Sequence, residues 1–504
     1  MKQSTLILSK ANALICSLLL TVSLSACQQT KLVFTDAKEP VISDLKGLNS
    51  APKVNLGQID DNVWKVNELT KSVTLHQYPP SQSKLTYLSL VLVNPKHPFN
   101  NIDLISSALY QRAYTLAATS KLSCIESFRV QAGMHSIALQ LSCPEIEAVQ
   151  ALTLLMGSWQ TDAFDSIDLD TVRRQLKLNK HINAYSGGEI DKVWAKKILG
   201  EHHPYNLNLH NPALQNELSP KELIEQQQAL LAGSNWHLLV SSNTNDMVAE
   251  LAKMLTLNLP SSSVNDKKQG LSDTLTYRKP LQEVFTQNPQ KQLYIIDAPG
   301  AIQTQVRVGY RLPIVDDELT NTTPSLDESD PLSCQLLASW LGRSFSGRLY
   351  YDLREKRGLT YGIYGRCFDN PQARTLKFYG STQRQHTGAF ISGILDHLAL
   401  ASESELKAAE LSALKVHEKS KYLLASQSIN AAFSRYIKQL SQGRQNTDLS
   451  QEKIVNQLSA KTVQNMAQTI FSTPPTILIR GDVDLIIKDL QNKLPEWKIN
   501  LIKP

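Results

Sequence analysis

Apolar positions recur along this chain in two periods, and the changes from one to the other mark out its elements. Alternation in steps of two, expected of a strand with one buried face, runs from Cys124 to Val130 and again from Ser136 to Cys143. Apolar runs at Leu85–Val93, Lys291–Ile296, Gln305–Tyr310, Trp236–Val240 and Thr476–Ile479 predict further strands. Helical spacing takes over in the charged stretches Asp168–His181 and Ser404–His417. A two-residue turn at Gly133-Met134 would set Val130 opposite Ile137, Phe128 opposite Leu139 and Cys124 opposite Cys143, all on one face. Cross-strand neighbours are close enough for a disulfide. Two buried free thiols fit the same pattern, and a bulge would shift the register.

The pattern repeats over a long period. The segment LSPKEL at Leu218–Leu223 opens a helix that leads into the strand Trp236–Val240. The segment LSAKTV at Leu458–Val463 does the same before Thr476–Ile479, and both the helix and the strand lie 240 residues further on. Self-similarity on this scale indicates a duplicated domain. Pro260–Gly270 (PSSSVNDKKQG) has linker composition, which divides the body into halves at 62–259 and 271–504. Each half begins with strands and continues with helices and one late strand, so the predicted class is α+β. Each half would be a largely antiparallel sheet with helices packed on one face.

Composition narrows the classes. With 504 residues, 42% hydrophobic and 19% charged, the chain is neither disordered nor a small disulfide-stapled scaffold. Its net charge of +6 is spread along the whole length, without a dense basic block, so no nucleic-acid partner is expected. Met1–Lys10 carries two lysines, and Ala11–Ala26 is free of charge and too short to span a bilayer. This is the layout of a secretory signal peptide, residues 1–26. Leu24-Ser25-Ala26-Cys27 also resembles a bacterial lipobox, which implies lipidation of Cys27. Gln28 after it implies outer-membrane sorting. Residues 27–61 then read as a polar tether punctuated by Pro40 and Pro52. The expected location is the periplasmic face of the outer membrane. That compartment is oxidising, which favours a Cys124–Cys143 bridge and leaves Cys334 and Cys367 as the remaining pair.

One stretch carries more specific information. Leu341–Gly365 reads LGRSFSGRLYYDLREKRGLTYGIYG. It resembles the second half of pitrilysin/insulinase-type metallopeptidases, above all the processing-peptidase branch. There a small-residue turn is followed by S-x-R-L and then L-R-E-x-x-G-x-x-Y. Phe164–His181, the segment Gly200–Tyr205 (GEHHPY) and the two strand-closing segments agree with that family. The resemblance extends from about Asn62 to the C-terminus and implies a clamshell of two halves. From the residues alone, Leu349 and Leu353 predict a helix that Gly358 would cap after Lys356 and Arg357, with an aromatic strand at Tyr361–Tyr364. The resemblance implies that Arg354 and Tyr361 point into the chamber and hydrogen-bond a bound peptide near its scissile carbonyl. A guanidinium and a phenol suit developing oxyanion charge. Without the family context, they would be a helix-end arginine in a surface ion pair and a tyrosine packed on its sheet.

The metal chemistry of the family does not fit these residues. Active members carry H-x-x-E-H on the first helix of the first half and a further glutamate on a later helix. Here the first helix, Asn101–Ala117, has neither His nor Glu, and the matching positions fall near Ser106–Tyr110. The later helix, Leu169–Ile182, lies within a stretch from Ala148 to Gly188 that has no Glu. His202 and His203 are adjacent and predict a helix-ending turn; His97 sits in a loop; the acidic loop Asp316–Asp330 lacks calcium-ligand spacing. No cofactor is therefore expected in this chain, and zinc is expected in a partner. The resemblance implies a non-catalytic subunit that supplies Arg354 and Tyr361 to a zinc-bearing homologue, with peptides as substrates. The alternatives are a solitary pseudopeptidase acting as a scaffold lipoprotein, and an active zinc endopeptidase with atypical ligands.

Overall fold

The computed structural model describes residues 32–40, 63–80, 83–160, 166–184, 188–208, 219–259, 290–313, 331–443 and 455–502. Cys27, the linker at 260–270 and the acidic loop at 316–330 lie outside the described residues.

Two six-stranded sheets organise the chain. The first holds β1 (Lys65–Thr70), β2 (Val73–Gln77), β3 (Leu85–Val93), β4 (Arg129–Gly133), β5 (Ser136–Pro144) and β6 (Asn235–Ser241), in the order β1-β2-β6-β3-β5-β4. The second holds β7 (Gln292–Asp297), β8 (Gln303–Leu312), β9 (Thr360–Asn370), β10 (Ala373–Gln383), β11 (Thr476–Gly481) and β12 (Lys498–Ile502), in the order β12-β7-β11-β8-β10-β9. Omitting the outermost β1 and β12, five strands repeat in one order, and β2–β6 and β7–β11 are both parallel in otherwise antiparallel surroundings. The 240-residue periodicity in the sequence is this duplication.

The helices of the first half are α1 (Ile102–Ser120), α2 (Ala148–Ser158), α3 (Ser166–Ala184), α4 (Gly188–Leu199), α5 (Pro204–Asn208), α6 (Pro220–Ala232) and α7 (Asn245–Asn258). Those of the second are α8 (Pro331–Gly342), α9 (Thr387–Glu403), α10 (Ala408–Leu424), α11 (Ile429–Ser441), α12 (Ala460–Phe471) and α13 (Val483–Lys493). The repeat is visible down to the caps. Ser219 and Ser459, 240 residues apart, each accept from the backbone N–H three residues on and start α6 and α12.

Each sheet is covered on one face by helices of its own half. Leu88, Leu90, Leu92, Leu139 and Leu238 belong to the first core, and Leu293, Ile295, Val306, Val308 and Ile477 to the second. The opposite faces are covered by an exchange. Phe433, Tyr436, Ile437 and Leu440 of α11 pack on Val91, Val93, Ala138 and Leu239 of the first sheet. Ile190, Trp194 and Ile198 of α4 pack on Ile296 and Leu478 of the second. This explains why β3 and β6 are apolar on both faces rather than alternating.

The β4–β5 hairpin departs from the register expected from the sequence. Val130 pairs with Leu139 and Ala132 with Ile137, so the turn residues are Met134-His135 rather than Gly133-Met134. The ladder has slipped by two residues, which leaves the same side chains on the core face because the pleat has a period of two. Phe128 and Cys124 lie outside the strand; Cys124 begins a short 3-10 turn, Ile125–Ser127. From there it is bonded to Cys143 at a Cα–Cα distance of 5.1 Å. Cys334 of α8 is bonded to Cys367 of β9 at 5.6 Å.

The seat of α11 contains a buried polar chain. His76 Nε2 and His237 Nδ1 are 2.9 Å apart, and His76 Nδ1 lies 3.0 Å from the Tyr436 hydroxyl. Trp64 stacks on Tyr436 at 4.1 Å between ring centroids. Burial, aided by repulsion from His237, holds the His76 imidazole at about 3, and burial holds His237 at about 4. Both rings are thus neutral when folded, whereas in the unfolded chain they protonate near the ordinary 6.5. The unfolded state gains protons first as pH falls, so stability is expected to decline below about pH 6.5 and to go on falling towards pH 4. The slope is roughly 1.4 kcal/mol per pH unit for each ring at most. A urea midpoint equal at pH 7 and pH 5 would contradict this.

Candidate functional site

The stretch Leu341–Gly365 folds into a supported turn. Helix α8 lies directly on β9 because Gly342 and Gly365 leave no Cβ between them; a methyl on Gly342 would overlap the Gly365 backbone, and one on Gly365 would overlap Ala338. The Cys334–Cys367 bridge ties the same pair of elements. The loop after α8 is closed by Arg343, which donates to Ser346 Oγ at 2.6 Å and to the Ala413 carbonyl at 3.3 Å. Phe345, at φ 64°, stands 77% exposed at its tip. The arginine of the S-x-R-L motif, Arg348, is itself buried. It donates to both carboxylate oxygens of Glu410 at 2.7 and 2.9 Å, and its guanidinium lies 4.6 Å from the centre of the Trp340 ring. Burial would raise the Glu410 carboxyl, but the Arg348 bonds outweigh it and hold it below its usual range.

Where the sequence predicts an α-helix, Tyr350–Lys356 is π-helical, with the wider i→i−5 bond from Arg357 N–H to the Asp352 carbonyl. A cluster under the turn holds it. His397 Nε2 lies 2.8 Å from Asp352 Oδ2, and Arg357 Nη2 lies 2.6 Å from the same oxygen. Burial alone would raise the Asp352 carboxyl, yet the bonds from His397 and Arg357 keep it lowered. Burial keeps His397 below its ordinary value despite Asp352. The arrangement is therefore a carboxylate paired with one arginine and accepting from a neutral imidazole. Leu353 fills the space left by Gly393 of α9. Gly358, at φ 62°, ends the turn and sends the chain into β9.

Arg354 and Tyr361 are carried on this support. The Arg354 guanidinium rests 4.7 Å from the centre of the Tyr350 ring and meets Glu355 at 3.5 Å, with its side chain about one-third exposed. That exposed pair with its neighbour is weak, so the charge remains available to a ligand. Tyr361, at the start of β9, is 78% exposed, and among the described residues its hydroxyl has no hydrogen-bond partner. Thr360 Oγ1, bonded to the Ser381 carbonyl and to Gly362, fixes the strand on either side of it.

In the first half, Ser106 donates to the Asp103 carbonyl, Ala108 and Leu109 are buried, and Tyr110 packs against Tyr114 with centroids 4.8 Å apart and the rings tilted by 41°. No imidazole or carboxylate occupies Ser106–Tyr110, and α3 presents Leu169 and Val172 to the core. Zinc does not fit this position, for want of donor atoms. The single candidate trio among the described residues is Cys124, Cys143 and Glu147, whose two sulfurs are already bonded to each other. Gly200 at φ 94° ends α4 before His202 and His203, and His203 Nε2 donates to the Gln372 carbonyl at 3.2 Å.

His135 was one of eleven scattered histidines in the sequence, yet it forms the junction between the halves. Its Nδ1 donates to the Asn94 carbonyl at 2.8 Å, its Nε2 accepts from Tyr205 at 2.7 Å, and the Tyr205 oxygen accepts from the Gln372 N–H at 2.9 Å. The β4–β5 turn and the β9–β10 turn meet here, so the two edge strands β4 and β9 diverge from one place.

Comparison with known proteins places this architecture. Residues 217–416 match the family model described as the peptidase M16 inactive domain, a window that includes the glycine turn, Arg354 and Tyr361. Over this stretch the chain resembles the peptidase M16 family. It is 29% identical over 141 residues to the Bacillus subtilis (strain 168) protein named "Uncharacterized zinc protease YmxG". That alignment spans 27% of this chain and 34%, about a third, of the relative. The fold is similar to that of a peptidase M16 inactive domain from Pseudomonas fluorescens, with TM-score 0.64 at 16% identity over 83% of this chain and 98% of that one. It is also similar to a protease from Helicobacter pylori, with TM-score 0.65 at 13% identity over 83% of this chain and 99% of that one.

Proposed function

We propose that this chain is a lipid-anchored, non-catalytic subunit of a periplasmic zinc metallopeptidase complex. It would supply Arg354 and Tyr361 to the active site of a zinc-bearing homologous partner. One observation carries the reading: an exposed arginine and tyrosine are held on a buried, cross-linked support, in a chain whose Ser106–Tyr110 segment offers no metal donor. Nothing about fold stability requires Arg354 or Tyr361 to be there. A turn braced by Asp352, His397, Arg357 and two glycines orients them for something outside the chain.

In this reading a peptide enters in extended form, its backbone pairing with a sheet edge. Arg354 and Tyr361 donate hydrogen bonds to the carbonyl near the cut, where charge develops. The partner's zinc polarises the attacking water. The lipobox-like segment ending at Cys27 is the proposed attachment to the outer membrane.

The test is reconstitution. The purified chain is expected to cleave no peptide and to hold no zinc, and adding the partner should raise cleavage above that of the partner alone. A homologue with H-x-x-E-H should copurify with it. Copurification of no such homologue would replace the heterodimer with a solitary scaffold. Near-stoichiometric zinc in the purified chain would overturn the reading.

A further inference from the structure

Where active relatives would place a metal, α1 presents an aromatic shelf. Tyr110 and Tyr114, one turn apart, are 43% and 38% exposed. Phe128 closes the back of the pair, with centroids 5.7 and 6.1 Å from them. Two large rings exposed side by side on adjacent turns of one helix form a contiguous patch, the kind of surface that marks a binding site. The shelf adjoins β4, which is an edge strand: it pairs with β5 on one side, and among the described residues no strand pairs with it on the other.

Strand alternation says which side chains of an added strand would reach the shelf. Val130 of β4 packs towards α1 and the first core, whereas Gln131 reaches the Ser434 carbonyl of α11 on the opposite face. Arg129 shares the Gln131 side, so its charge points away from the tyrosines. Arg112, two residues from Tyr110, lies on the far side of α1. The charge that does act on the shelf is negative. The Tyr114 hydroxyl is raised above its ordinary value first by its hydrogen bond with Tyr110, then by burial and by the charges of Tyr110 and Glu126. Glu126, in the 3-10 turn before β4, is exposed. Two ring faces with a carboxylate beside them suit a cation.

We infer that Tyr110 and Tyr114 form a subsite for a lysine or arginine side chain of an extended peptide paired to the free edge of β4. This deepens the peptide-binding reading and rests on it. The peptide backbone satisfies the open N–H and C=O groups of β4, every second side chain falls towards α1, and one of these lies across the tyrosine faces near Glu126. The position used for metal in active relatives would thus serve as a specificity pocket.

The experiment passes a pool of randomised dodecapeptides over the immobilised full chain and sequences the bound fraction. Wild type should enrich Lys and Arg about fivefold at one position. The double variant Tyr110→Ser/Tyr114→Ser should lose that enrichment while keeping Arg354-dependent retention. Tyr110→Phe/Tyr114→Phe, which keeps the ring faces, should retain it, and Glu126→Gln should weaken it. Arg354-dependent retention with an apolar or acidic preference, or a basic preference unchanged in the serine variant, would overturn this inference and leave the parent reading standing. Retention of no peptide, or equal retention by wild type and Arg354→Ala, would overturn both.

Discussion

Replacing Arg354 with alanine is expected to lower the partner-dependent cleavage rate by about 100-fold to 1,000-fold, as removal of one preorganised donor to a developing oxyanion does. The loss should appear mainly in kcat, because the bond strengthens as charge develops on the carbonyl oxygen. Folding should be untouched. Arg354 is partly exposed, and among the described residues its ionic partner is the neighbouring Glu355 at 3.5 Å. Arg354→Lys should recover only part of the rate, since an ammonium cannot reproduce the planar fork or the stacking on Tyr350. A reconstituted mixture that cleaves at the wild-type rate with Arg354→Ala would remove the assignment of this residue.

The second large effect is structural. Glu410→Ala should cost about 3–5 kcal/mol of stability, because it strands the Arg348 guanidinium in the core without a counter-charge. Arg348 and Glu410 are 1% and 5% exposed, so water cannot take over the lost bonds. Replacing both, as Arg348→Met/Glu410→Leu, should cost far less, since no uncompensated charge remains. Urea unfolding of the three proteins decides the matter, and a single variant no less stable than the double one would refute the account. The same pair anchors the chain just before the π-helical turn that carries Arg354, so partial loosening in Glu410→Ala should also weaken peptide retention.

These two residues show how differently sequence motifs can be used. Arg348 and Arg354 stand six apart in one short stretch, and their chemistry is the same. Burial divides them: one guanidinium is consumed inside the fold and the other is presented to solvent. Periodicity cannot report this, because it describes which face a residue is on and not what covers that face. The π-helical turn is a similar case. Leu349, Leu353 and Gly358 specify a helix and its end, while the wider bonding follows from Asp352 being pinned by His397 and Arg357, a histidine 45 residues away and an arginine beyond the turn. The β4–β5 register also escaped, since a slip of two leaves the hydrophobic pattern unchanged.

Local pattern in the chain was sufficient for the duplicated α+β halves, most of the strands and helices, the 240-residue repeat and the lack of donor residues at Ser106–Tyr110, because each depends on side-chain type and short-range spacing. Tertiary structure alone decided the exchange of α4 and α11 between the halves, the neutral His76–His237 pair beneath Tyr436, the His135–Tyr205–Gln372 junction and the tyrosine shelf beside an open strand edge. The exchange, the histidine pair and the junction join groups distant in the chain, and they form where water is excluded between the two halves; the shelf depends on which helix face the free strand edge lies beside.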